Sequence, residues 1–268
     1  MLLYAAPVVG AIALWWVSTG VVLRAGGLPA RARRPVLVGA TLVLALALAG
    51  VWATRDRGVG EVYAGFTGAV LVWGWIEVGF LTGALTGPQR APCPPGLAGS
   101  RRLWRAIGVV LYHDLAILAG AVLVVALAGG AGTTAGGTFL VLAGMRLSAQ
   151  LNLFLGVPNR AEDMLPDHLG YVASYFRDRP MNPLLPVSVT AGTALAVILA
   201  LAAGASEATD AELARATLLA TLLGLGVLEH WFLVLPVPVA ALWRGERHRA
   251  AAADADALFH TVRSPLPR

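Results

Sequence analysis

Seven stretches of this chain, residues 2–23, 36–54, 62–86, 103–128, 138–156, 184–204 and 216–243, are long and apolar; about 20 residues of helix suffice to cross a hydrocarbon core. No other feature restricts the fold so strongly, because a backbone inside lipid must satisfy its own hydrogen bonds, as a helix does. The expectation is an all-α polytopic membrane protein, a bundle of seven transmembrane helices over residues 1–243. A basic cytoplasmic tail, residues 244–268, is expected to follow it and to be flexible. Composition agrees: 57% of the 268 residues are hydrophobic and 13% charged, with a mean hydropathy of +0.72, against roughly 25% charged residues in soluble chains. The first span lacks the basic flank and small-residue cleavage site of a signal peptide, so it is read as a helix that stays.

The net charge of +5 follows from membrane topology rather than from nucleic-acid binding, since no basic patch interleaved with aromatics is present. Arg24, Arg31, Arg33 and Arg34 lie in the first loop, Arg90, Arg101, Arg102 and Arg105 in or beside the third, and Arg160, Arg177 and Arg179 in the fifth. Five more follow residue 243, whereas the even loops hold Arg55, Arg57 and Arg215. Cytoplasmic loops carry the excess of basic residues. The odd loops and the C-terminus are therefore expected in the cytoplasm, with the N-terminus outside. Cys93 is the one cysteine, which excludes an intrachain disulfide framework.

No internal repeat of convincing length marks an inverted-repeat transporter. Gly79, Gly83 and Gly87, four apart, are expected on one face of the third span, where small residues let a neighbouring helix approach. In the fifth loop Leu165, Leu169, Val172 and Phe176 recur at helical spacing between Pro166 and Pro180. That pattern predicts a short amphipathic helix on the cytoplasmic surface, from Pro166 to Arg179, with its apolar stripe turned to lipid or protein and Tyr171, Tyr175 and Phe176 at headgroup level.

Ionisable residues interrupt the apolar spans: Glu77 in the third, His113 and Asp114 in the fourth, Arg146 in the fifth, Glu229 and His230 in the seventh, with amides at Gln150 and Asn152. Each charge at membrane depth costs about 2.5–3.5 kcal/mol on insertion scales, so such groups face partners or a cavity. Counted from the cytoplasmic ends at 1.5 Å per residue, Glu77, His113, Gln150 and Glu229 fall in a layer roughly 12 Å thick. They can meet. Three readings of this layer stand side by side. It is an ion-pair and hydrogen-bond network that fixes packing, with Arg146, Gln150 and Asn152 as members. Or His113 and His230 are pigment ligands, each held by a neighbouring carboxylate. Or Glu77, His113, Asp114, Glu229 and His230 bind a divalent metal such as zinc or iron, although the Glu-x-x-His spacing of di-iron bundles is missing. The cofactors these readings admit are bacteriochlorophyll or a divalent metal. No nucleophile triad, phosphate loop or cofactor fingerprint occurs, so no catalytic residue is assigned.

Six segments carry a family resemblance: "LWWVSTGVVL" at 14–23, "LVWGWIEVGFLTGALTGPQRAPCPPG" at 71–96, "LYHD" at 111–114, "MRLSAQLNLFLGVPN" at 145–159, "LPDHLGYVASYFRDRPMNPLLPVSV" at 165–189 and "LEHWFLVLPVP" at 228–238. Together they resemble the PuhE family of photosynthetic complex assembly proteins from anoxygenic phototrophic bacteria. The resemblance implies an inner-membrane factor that aids assembly of the reaction centre and light-harvesting complex and influences bacteriochlorophyll supply. It implies photosynthetic complex subunits or pigment-synthesis proteins as partners, besides the lipid bilayer. The alternative from the residues is a membrane metalloenzyme acting on a tetrapyrrole or isoprenoid intermediate.

The arginine asymmetry makes a direct prediction. A reporter fused after Arg268 is expected to be active as a cytoplasmic fusion and silent as a periplasmic one; periplasmic activity would reverse the orientation.

Overall fold

The computed structural model describes residues 2–55, 58–160, 162–237 and 243, and all regular structure among them is helical. The long helices are α1 (Leu2–Gly26), α2 (Ala30–Thr54), α3 (Val59–Leu81), α4 (Gly99–Ala128), α5 (Thr134–Leu155), α7 (Leu184–Ala203) and α8 (Asp210–Phe232). All seven are long and apolar enough to cross a membrane. A four-residue helix, α6 (Gly170–Ala173), lies in the loop between α5 and α7. The expected tail, residues 244–268, and positions 238–242 of the expected seventh span lie outside the described residues.

Hydropathy locates the spans but misplaces several ends, because it senses the hydrocarbon zone and not the helix. α2 begins at Ala30 and carries Arg31, Arg33 and Arg34 in its opening turns, six residues before its apolar run. α8 begins at Asp210 rather than 216, where Thr209 and Glu212 form a reciprocal capping box; those two side chains satisfy backbone N–H groups that a bare helix start leaves unpaired. Its C-terminal end is at Phe232, short of the expected 243. Pro236 follows, and a proline cannot continue the ladder.

α3 is the centre of the bundle. It packs against α1, α2, α4, α5 and α8, and 61% of its membrane window is buried against at most 39% for any other span. Its small residues make this approach close: a Cβ on Gly68 would strike Val51 of α2. Apolar packing then runs outward, with Val72, Ile76, Ile117 and Phe139 joining α3, α4 and α5. Val62, Phe66, Leu218 and Leu222 join α3 to α8.

The third span was expected to run to residue 86, with Gly83 and Gly87 on a helix face. Instead α3 ends at Leu81 and Gly83 has φ +84°, a left-handed turn that glycine tolerates. The chain folds back beside α3 and α4 rather than leaving the bundle. Leu85 N donates to Gly79 O at 2.8 Å, Gln89 N to Gly108 O at 3.1 Å, and Tyr112 N and His113 N to Thr86 O at 2.8 and 3.2 Å. Non-helical backbone at this depth is tolerable only when protein surrounds it, and Thr86 is fully buried. Gly87 lies directly on the α4 backbone.

The fifth loop also differs from expectation. Its helical part is shorter than Pro166–Arg179: a 3-10 turn at Asp167–Leu169 and then α6. Leu169, Val172 and Tyr175 are buried against Phe80, Leu81 and Val109, so the stripe closes the end of the bundle instead of meeting lipid. Tyr175 is accordingly turned into the protein. Its hydroxyl donates to Ala91 O at 3.3 Å, and burial pushes the phenol above its ordinary range. Burial, reinforced by Arg33, holds the nearby His168 imidazole below its ordinary range. Arg102, read from sequence as a topological charge, is 4% exposed. It donates to Phe154 O and Tyr175 O and lies over the Phe154 ring, answering one of the carbonyls a helix C-terminus leaves open.

The seating of the third loop is testable at Gly87. A Cβ there meets the Gly108 carbonyl and the Val109 backbone, neither of which can rotate aside. Gly87→Ala should cost about 1–3 kcal/mol, read as a lower unfolding midpoint of the purified protein. Gly74→Ala, where nothing lies within 4 Å of the new atom, should leave the midpoint unchanged or raise it.

Candidate functional site

Arg146 and Gln150 are four residues apart on α5, so they share a face, and that face is turned to Glu77 of α3 and the His113–Asp114 pair of α4. Glu77 Oε1 lies 3.5 Å from Arg146 Nε and 3.5 Å from His113 Nε2. Both nitrogens are buried without a hydrogen-bond partner, so these are Coulombic contacts that miss hydrogen-bond alignment. On the other side of the ring, His113 Nδ1 is 3.4 Å from Asp114 Oδ1, and Gln150 Nε2 donates to Asp114 Oδ2 at 3.2 Å. The fully buried imidazole packs 4.6 Å from the Phe80 ring. The third loop holds this helix segment in place through Thr86 O.

Glu229 and His230 point to different neighbours. Glu229 Oε1 accepts from Trp15 Nε1 of α1 at 3.2 Å. His230 faces α5: its Nδ1 lies 2.8 Å from Gly226 O of its own helix and its Nε2 2.9 Å from Ser148 Oγ of α5. A carbonyl only accepts, so Nδ1 carries the proton and Nε2 receives one. Ser148 Oγ is 2.8 Å from Ser188 Oγ, and Asn152 Nδ2 donates to Ser188 Oγ at 3.2 Å. Ser148 and His230 have the separation of a nucleophile and its base. Yet His230 is 1% exposed, both its nitrogens are engaged, and neither residue lines the cavity described below; the pair works as a helix-to-helix link.

The residues read from sequence as one layer thus form two groups. Glu77, His113, Asp114, Arg146 and Gln150 make one; Asn152 and His230, with Ser148 and Ser188, make the other. Glu229 stands across a cavity from the first group. Among the described residues no three His, Cys, Asp or Glu side chains form a group that could hold a metal ion.

The cavity has a volume of about 310 Å³ and lies between α1, α3, α5 and α8. Glu77, Arg146, Gln150 and Glu229 give it a polar middle, and Trp15, Trp73 and Phe80 are among its aromatic walls. It reaches the fifth loop at Arg160 and Leu165, where Arg160 Nε pairs with Glu162 Oε1 at 3.0 Å. It has the form of a small-molecule site, mostly apolar with a few converging polar groups.

Sequence reading missed Trp15, Ser148 and Ser188, whose role depends on which helices touch. It also missed a cluster at the opposite end of the bundle. Glu61, 6% exposed, accepts from Thr134 N at 3.1 Å and from Arg215 Nη2 at 3.4 Å. It thereby caps the start of α5. The available signal was an acid and a base at the edges of two spans, Glu61 before 62 and Arg215 before 216.

Comparison with known proteins gives two matches. The family described as protein of unknown function DUF3623 matches residues 1–253. A 30.4 kDa protein in the puhA 5′ region of Rhodobacter capsulatus is 38% identical over 238 residues, which is 87% of this chain and 86% of the relative. No solved structure matches.

The Glu77–Arg146 pair predicts a non-additive mutant cycle. Arg146→Gln strands a carboxylate at membrane depth and should cost about 3 kcal/mol, the low end of the range for broken buried pairs, because Arg146 keeps 31% exposure. Glu77→Gln combined with Arg146→Gln should recover most of that loss. Equal unfolding midpoints for the single and double variants would show that the pair is not coupled.

Proposed function

We propose, from the premise that this chain belongs to the DUF3623 family, that it is an inner-membrane factor aiding assembly of the photosynthetic reaction centre and light-harvesting complex and modulating bacteriochlorophyll supply. The observation that carries this reading is the position of its 38% identical relative in the puhA 5′ region, which points to photosynthesis and agrees with the PuhE resemblance. Two features support a role without catalysis. His230 is engaged at both nitrogens inside the protein, and the Glu77 group consists of charges paired with one another. In this reading the partners are photosynthetic complex subunits or pigment-synthesis proteins, met within the bilayer, with the N-terminus periplasmic and the C-terminus cytoplasmic.

Deleting the gene in a phototrophic host should lower assembled complex and pigment together without abolishing any single pigment-synthesis reaction. Complementation with His113→Gln and His230→Gln at equal protein abundance should restore both, since glutamine keeps neutral hydrogen-bonding groups where a pigment or metal ligand could not be replaced. Wild-type complex and pigment in the deletion strain would sink the proposal. Failure of the two glutamine variants at normal abundance would instead assign the imidazoles to a ligand.

A further inference from the structure

The cavity between α1, α3, α5 and α8 has a feature that internal packing does not explain. Arg146 meets Glu77 only through Nε, and its guanidinium carbon stands 5.6 Å from the Phe80 ring centroid. Among the described residues its two terminal nitrogens donate to nothing. A guanidinium has five donors in a planar fork, and leaving them unmet at membrane depth is costly. Here they border a space of about 310 Å³ with mainly apolar walls. Water can reach the polar middle, but the apolar remainder of such a space holds water poorly.

Size, charge and shape narrow the occupant. The volume lies at the lower edge of the roughly 300–1,000 Å³ that enclose drug-sized ligands, so a ring-sized headgroup with part of a chain fits and a whole tailed macrocycle does not. Of the two arginines that line the cavity, Arg160 is already paired with Glu162, which leaves the guanidinium of Arg146 to balance two lining carboxylates, Glu77 and Glu229. An anionic headgroup would add to that excess of acid, whereas a neutral acceptor meets the free donors without it. Trp15 and Trp73 are among the aromatic walls against which a flat ring can pack. Val22, Leu23 and Leu165 continue the apolar wall toward the fifth loop.

We propose that this cavity is a binding site for a neutral, flat, carbonyl-bearing amphiphile of the quinone class, with a ring carbonyl accepting from the terminal nitrogens of Arg146 and the chain running along the apolar wall. The site is independent of the complex the protein serves, because binding is a property of the isolated chain. Gly74 lines the cavity, and a Cβ placed on it meets nothing within 4 Å. A larger side chain there would extend into the space.

The test is titration of the purified full-length protein in detergent with decylubiquinone, read by quenching of the protein's tryptophan fluorescence and repeated with Gly74→Leu and Arg146→Lys. The wild type should show saturable quenching. Gly74→Leu, at an unchanged unfolding midpoint, should weaken it at least tenfold, and Arg146→Lys several-fold, since an ammonium cannot present the planar fork. Oleate, an anionic chain without a ring, should not displace the quinone. Identical quenching in the wild type and both variants would mean partition into detergent only and would overturn the proposal. Displacement by oleate at equal concentration would overturn it in favour of a fatty-acid site.

Discussion

A carboxylate and a guanidinium 3.5 Å apart between α3 and α5 are the interaction on which the interior of this protein turns. Neither charge is tolerable alone in hydrocarbon, so each requires the other helix to be present and correctly rotated. Glu77 also holds His113 of α4, and His113 adjoins Asp114, which returns to α5 through Gln150. Three helices are thereby tied in a closed circuit of polar contacts. Apolar packing in a membrane offers little preference among rotations, because lipid chains are as apolar as leucine. The polar circuit supplies that preference.

The third loop extends the same logic to the backbone. By ending α3 at Leu81 and returning alongside α4, the chain brings Thr86 O to the amides of Tyr112 and His113. This places irregular backbone at the level of the ion pair, where it must be covered. The fifth loop provides part of the cover, with Leu169, Val172 and Tyr175 packed onto Phe80, Leu81 and Val109. Arg102 then joins the end of α5 to the same loop. Parts of the two longest loops thus pack into the helix bundle, and the fifth loop contributes to the wall of the cavity.

A second polar set, Ser148, Ser188, Asn152 and His230, ties α5 to α7 and α8. α5 is therefore shared by both sets, with Arg146 and Gln150 on one face and Ser148 and Asn152 on another. α1 joins chiefly through Trp15 and through packing on α3 and α8, which leaves room between it and α5. The cavity is the consequence of that gap.

The sequence by itself determined the class of fold, the number of spans and the ionisable residues inside them, though not the buried Glu61 and Arg102 near helix ends. Those properties follow from transfer free energies summed along the chain, and the sum does not depend on which helices become neighbours. The depth of Glu77, His113 and Gln150 was readable because helical rise is constant. Only the tertiary structure decided that adjacent Glu229 and His230 serve different neighbours, that Gly83 and Gly87 belong to a returning loop, and that the fifth-loop stripe is buried. Depth is a coordinate along one helix, whereas rotation and contact are relations between helices, set by packing that brings together residues as distant in the chain as Trp15 and Glu229.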